Sequence, residues 1–158
     1  MPPLKSLTEP SHPPRAALAL LAAAAAVAVA VGGLEHARLF HRGYAEVEVV
    51  GPLFLLNAIG SAITILLLIA RRTALFVAGS LAISAGSLVS ILFSHNSSFF
   101  GFSEGGYDGT ATVIVVAEAA AILLTGLALV AGGTGTGARD RAEVAGGATA
   151  GGRTEVTA

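Results

Sequence analysis

The sequence predicts an all-α, polytopic membrane protein whose four transmembrane helices form an up-down bundle. Three observations carry this expectation. The 158 residues are 54% hydrophobic and only 12% charged, against roughly 25% charged in a soluble globular domain. The apolar residues fall into four long runs rather than being spread along the chain. Each run, at about 1.5 Å per residue, is close to the roughly 30 Å of a hydrocarbon core. The same composition excludes several functions. A net charge of −1 offers no basic surface for nucleic acid, and the absence of cysteine removes disulfides, thiolate metal sites and cysteine nucleophiles.

Residues 1–15 hold five of the six prolines and no apolar period, so they are expected to be a short disordered tail. From Ala16 to Leu34 no side chain is charged. This predicts a first helix over about 16–38, with Gly43 available as a stop. Pro52 suits a first helical turn and opens a second span over 52–70, ended by Arg71-Arg72. The third span covers 74–93, and the turn before it is short enough to force an antiparallel hairpin. The fourth covers 110–131, interrupted only by Glu118. Residues 132–158 carry eight glycines and scattered charges, a composition expected of a disordered tail.

Sidedness follows from the basic residues. Lys5, Arg15, Arg71, Arg72, Arg139, Arg141 and Arg153 lie on one side of the predicted spans, and only Arg38 and Arg42 on the other. The positive-inside rule then puts both termini in the cytoplasm. A cleaved signal peptide is the competing account of the first apolar run. That run is longer than the usual apolar region of a signal, and cleavage would leave three helices with the same sidedness. The preference for Arg over Lys, with so much Ala and Gly, suggests a GC-rich bacterial genome and hence a bacterial plasma membrane.

Lipid tails are as apolar as leucine, so the helices must associate through small residues and hydrogen bonds. In the third helix Ala78, Ala82, Gly86, Ser90 and Ser94 recur every four residues, beside a second stripe of Ser80, Ser84 and Ser87. In the second, Asn57, Gly60, Ser61 and Thr64 share a face, and in the fourth Ala111, Glu118, Ala121 and Thr125 do.

Glu118 is the sharpest chemical signal. A carboxylate at membrane depth costs about 2.5–3.5 kcal/mol and usually faces a bundle interior or a watery cavity. Two roles fit it: a proton or cation site, or a buried hydrogen-bonding residue that orders the bundle. Topology brings Asn57, His36 and His95 to the same half of the membrane, so Glu118, Asn57, His36 and His95 are expected to form an intramembrane polar cluster. The two histidines could hold a haem iron or another metal, but no CxxCH or HExxH accompanies them. The acidic loop residues Glu35, Glu46, Glu48, Glu104 and Asp108, with His41 nearby, lack the order of a calcium loop and read as a solvated face. Gly101, Gly105, Gly106 and Gly109 make no phosphate loop, and no Gly-x-Ser-x-Gly elbow occurs. No catalytic, cofactor-binding or metal residue is assigned.

The string EHARLFHRGYAEVEVVGPLFLLNAIG, from Glu35 to Gly60, resembles a group of small bacterial four-helix membrane proteins of unassigned function. The matching features are His36 with Phe40, Gly43-Tyr44, and the run from Gly51-Pro52 to Asn57. Phe100-Gly101-Phe102 and a glutamate in the last helix, here Glu118, are similar too. The resemblance covers roughly residues 16–131, implies four helices and implies no activity.

The expectation is therefore a plasma-membrane protein that is not an enzyme and takes no cofactor, with a structural, accessory or interaction role. Its partners are the lipid bilayer and either a second copy or another membrane protein. The alternatives are a small proton- or cation-coupled transporter using Glu118, and a haem- or quinone-binding redox subunit.

Overall fold

A computed structural model describes residues 15–97, 106 and 108–150, with side chains described as far as Gly132. The described residues form four helices and no strand: α1 (Arg15–His41), α2 (Val50–Ile69), α3 (Thr73–Asn96) and α4 (Gly109–Ala150). All four are long and apolar enough to cross a membrane, α4 by its segment Gly109–Gly132. The expected first tail up to residue 14, residues 151–158, Phe100-Gly101-Phe102 and Glu104 lie outside the described residues.

Local chemistry sets the boundaries. Gly43, at φ 125°, ends α1 in a conformation that only glycine adopts at no steric cost. A single 3-10 turn follows over Tyr44–Glu46, and α2 opens with Pro52 in its first turn. The α2–α3 connection is as tight as the hairpin required. The Arg72 amide donates to Leu67 O at 2.8 Å and the Arg71 amide to Leu68 O at 2.9 Å, with Arg71 at φ 57°. That is the Schellman arrangement, with arginine in the left-handed position where glycine is usual. At the start of α4 the Ala111 amide donates to Asp108 Oδ1 at 2.7 Å. Asp108 is thus an N-cap as well as an exposed residue. The fourth helix continues to Ala150, whereas the sequence reading ended it at Ala131 and expected a disordered tail from residue 132. The Ala138–Val144 stretch is rich in good helix formers, which favours continuation once α4 has nucleated.

The four helices pack in a ring. α1 lies against α2 and α4, α3 closes the ring against the same two, and α2 and α4 sit across a diagonal. Glycines set the close approaches. A methyl on Gly33 of α1 would lie 2.5 Å from Ser61 Cβ of α2, and one on Gly79 of α3 would lie 2.6 Å from Thr64 Oγ1. The core is correspondingly thin: Ala28 and Val29 of α1 meet Ala121 of α4, Ala25 is buried as well, and Phe76 of α3 is buried nearer the Arg71 end. Outward-facing side chains such as Leu20, Leu56, Ile69, Val116, Leu123 and Val130 are exposed. An apolar exterior around a small and polar interior is the arrangement of a bundle dissolved in lipid.

Candidate functional site

The polar face of each helix turns inward. On α4, Ala111, Glu118, Ala121 and Thr125 are all buried, and on α2 so are Ser61 and Thr64. On α3 the buried stripe is Ser80, Ser84 and Ser87, while Ala78, Ala82 and Gly86 lie on the exposed side. Helical geometry explains the split. A step of four residues overshoots a full turn by about 40°, so the Ala78-to-Ser94 series winds from lipid toward the core. Ser80, Ser84 and Ser87 alternate steps of four and three and stay on one face.

These groups bond across helices. Ser80 and Thr125 share a hydrogen bond of 3.0 Å between α3 and α4. Seven residues further along each antiparallel helix, Ser87 comes level with Glu118. The His36 ring of α1 reaches Ser87 at this level. Its Nδ1 donates to Gly32 O at 2.8 Å, since a carbonyl can only accept. In the neutral tautomer that this bond selects, Nε2 is an acceptor, and Ser87 Oγ donates to it at 3.3 Å. The tautomer is fixed by the backbone of the same helix, in the way a metal-binding or catalytic histidine is fixed by its outer partner.

Glu118 is 1% exposed and lies within electrostatic reach of His36. It packs on Gly32: a methyl there would come within 2.8 Å of Glu118 Oε1. Oε1 has no hydrogen-bond partner among the described residues, and neither does Ser84 Oγ, one turn from Ser87 on the same face. A buried acceptor without a partner is costly and calls for an explanation, such as a water or an ion at that point.

Above this layer, toward the α1–α2 connection, lies a cavity of about 350 Å³. Its polar floor is His36, Asn57 and Ser87, and its apolar walls include Leu53, Leu56, Ile83 and Ile114. Phe54 and Tyr44 contribute rings; Phe54 meets His36 edge-on at a centroid distance of 5.1 Å and Tyr44 at the same distance. Asn57 Oδ1 accepts from Ser61 Oγ at 3.3 Å, which leaves its amide NH₂ for the cavity.

Of the four residues expected to cluster, His36 and Asn57 share this cavity, and Glu118 lies beside His36 just beneath it. His95 is in the last turn of α3, where its Nδ1 donates to Ile91 O at 2.9 Å, and it is not among the cavity walls. The cavity thus takes His36 and Asn57 of the expected cluster into its lining and not His95. Among the described residues no group of three or more His, Asp or Glu is placed to hold a metal. Glu35 pairs with Arg38 on the surface of α1, and His41 stacks edge-on with Phe40. Sequence reasoning missed the cavity and the roles of Gly32 and Ser87. The adjacent glycines Gly32-Gly33 in the middle of an apolar span were the available signal for a close approach. A comparison with known protein families, curated proteins and solved structures finds no match for this chain.

Proposed function

We propose that this chain is a non-catalytic accessory protein of a bacterial plasma membrane, with both termini in the cytoplasm, that acts through a lipid-embedded bundle and its contacts with other membrane components. The observation that supports this is where the buried polar groups are used. Ser80 bonds Thr125, Ser87 bonds His36 and Ser61 bonds Asn57, so most of the interior chemistry joins one residue of the bundle to another. Among the described residues, nucleophile, base and oxyanion donors are not assembled around a common point, as acyl or phosphoryl transfer would require.

A second reading has one specific observation behind it. Glu118 Oε1 is buried without a partner, beside a histidine and below a cavity, which is what a proton- or cation-coupled component would need. Reconstituted vesicles separate the two. The accessory reading expects vesicles containing the purified protein to hold an imposed pH gradient as long as empty vesicles do, and the preparation to show no Soret band. A proton leak that Glu118→Gln removes, while the melting profile is retained, would establish the coupled reading in its place.

A further inference from the structure

We propose that the cavity beside His36 is a binding site for one lipid-soluble molecule with an uncharged, carbonyl-bearing ring, the chemistry of a quinone, whose ring enters from the bilayer between α2 and α3. This goes beyond the accessory role and does not depend on it.

Size is the first argument. About 350 Å³ is at the lower end of the roughly 300–1,000 Å³ of small-molecule sites, which is room for a ring and the start of a tail and too little for a whole two-chain lipid. Charge is the second. Among the described residues no Lys or Arg lines the cavity, and Asp108 is among its walls. A phosphate headgroup would find no cation and would meet a carboxylate, so the occupant's head is uncharged. The floor is the third. Asn57 has its amide NH₂ unused because its Oδ1 is held by Ser61, and an amide donor at the base of an apolar pocket selects a hydrogen-bond acceptor such as a carbonyl oxygen. Phe54 adds an aromatic surface against which a flat ring packs favourably.

The route in is also visible. Leu56, on the α2 wall, is 65% exposed. Ala82 and Gly86, on the α3 wall, are exposed as well, and a methyl added at Gly86 would meet nothing within 4 Å. The gap between α2 and α3 thus opens sideways onto the surface that faces lipid. A tail can stay in the bilayer while the ring reaches Asn57.

The full-length protein in lipid nanodiscs, titrated with a decyl-substituted benzoquinone and followed by equilibrium binding, tests this. Saturable binding is expected, with decylbenzene and decyl phosphate at least tenfold weaker. Asn57→Leu should weaken quinone binding by about tenfold, the loss of one hydrogen bond of roughly 1.4 kcal/mol. Gly86→Phe or Ser90→Phe should fill the space and abolish binding with the melting temperature unchanged, since Gly86 faces open space and Ser90 bonds only its own helix, at Gly86 O. Absence of saturable binding to the wild type overturns the proposal. Equal affinity for decylbenzene or decyl phosphate overturns it too, as does wild-type binding in both phenylalanine variants.

Discussion

At the scale of single residues, the bundle depends on positions where nothing larger than glycine fits. Gly33 is the clearest. A methyl there would sit 2.5 Å from Ser61 Cβ and 2.8 Å from Ser61 Oγ, and a Cβ, unlike the end of a long side chain, cannot swing aside. Gly33→Ala should therefore push α1 and α2 apart and cost about 1–3 kcal/mol, the range for overpacking a well-fitted interface. Gly126 on α4 is the control, because a methyl there would meet nothing within 4 Å. Gly126→Ala should be neutral, or stabilising by up to about 1 kcal/mol through helix propensity. Unfolding of the two variants in mixed micelles measures the difference, and equal stabilities would remove the close-packing account of Gly33. Glu118 shows how far such detail was legible beforehand. Its burial followed from the cost of a carboxylate in hydrocarbon, as did its company with His36 from topology. Its seat against Gly32 did not, because contacts across helices depend on rotation about each helix axis, which an almost uniformly apolar run leaves undetermined.

At the scale of elements, periodicity did most of the work where polar residues interrupted the apolar runs. Asn57, Ser61 and Thr64 fixed the inner face of α2, and Ala111, Glu118, Ala121 and Thr125 that of α4. In α3 two small stripes competed, and only the one alternating three- and four-residue steps could stay inward. The helix ends followed turn chemistry: Gly43 stopped α1 and Pro52 opened α2, whereas the cap at Asp108 was hidden among loop acids that suggested only a solvated surface. His95 is outside the cavity lining: lying in the last turn of α3 fixes its depth, and depth says nothing of its direction. The Ser80–Thr125 bond, 3.0 Å and buried, supplies the test at this scale. In a double-mutant cycle with Ser80→Ala and Thr125→Val, the coupling energy should be about 0.6 kcal/mol, the average for hydrogen bonds between membrane helices. A coupling near zero would mean that this pair fills space without joining α3 to α4. The modest size is itself informative. No single bond of this kind holds α3 in the ring, so its place depends on the sum of Ser87, Gly79 and Phe76 contacts.

At the scale of the whole molecule, the distribution of polarity suits a lipid environment, and the distribution of charge is the basis of the proposed orientation. The exposed Leu, Ile and Val side chains around all four helices form a belt that water would not tolerate and that lipid requires. Within that belt the Arg71-Arg72 turn joins α2 to α3 at one end, while Gly43 and Gly106 mark the connections at the other. The positive-inside rule acts on short loops near the ends of spans, which makes Arg71 and Arg72 the residues with most weight in the outcome. The chain has no cysteine, so a single introduced thiol reports on its own position without background. In intact cells, a membrane-impermeant maleimide should label Gly106→Cys and leave Ser6→Cys unlabelled until the membrane is opened. The reverse pattern would invert the topology and place both termini outside. Replacing Arg71 and Arg72 together by Gln and Asn should shift part of the population toward that inverted state, because the turn then loses both its charges while Arg38 and Arg42 keep theirs. The same exchange made at Arg38 and Arg42 should leave Gly106→Cys fully labelled. A double variant at Arg71 and Arg72 that keeps the wild-type labelling would show that the basic residues of the two terminal segments are sufficient to orient the bundle.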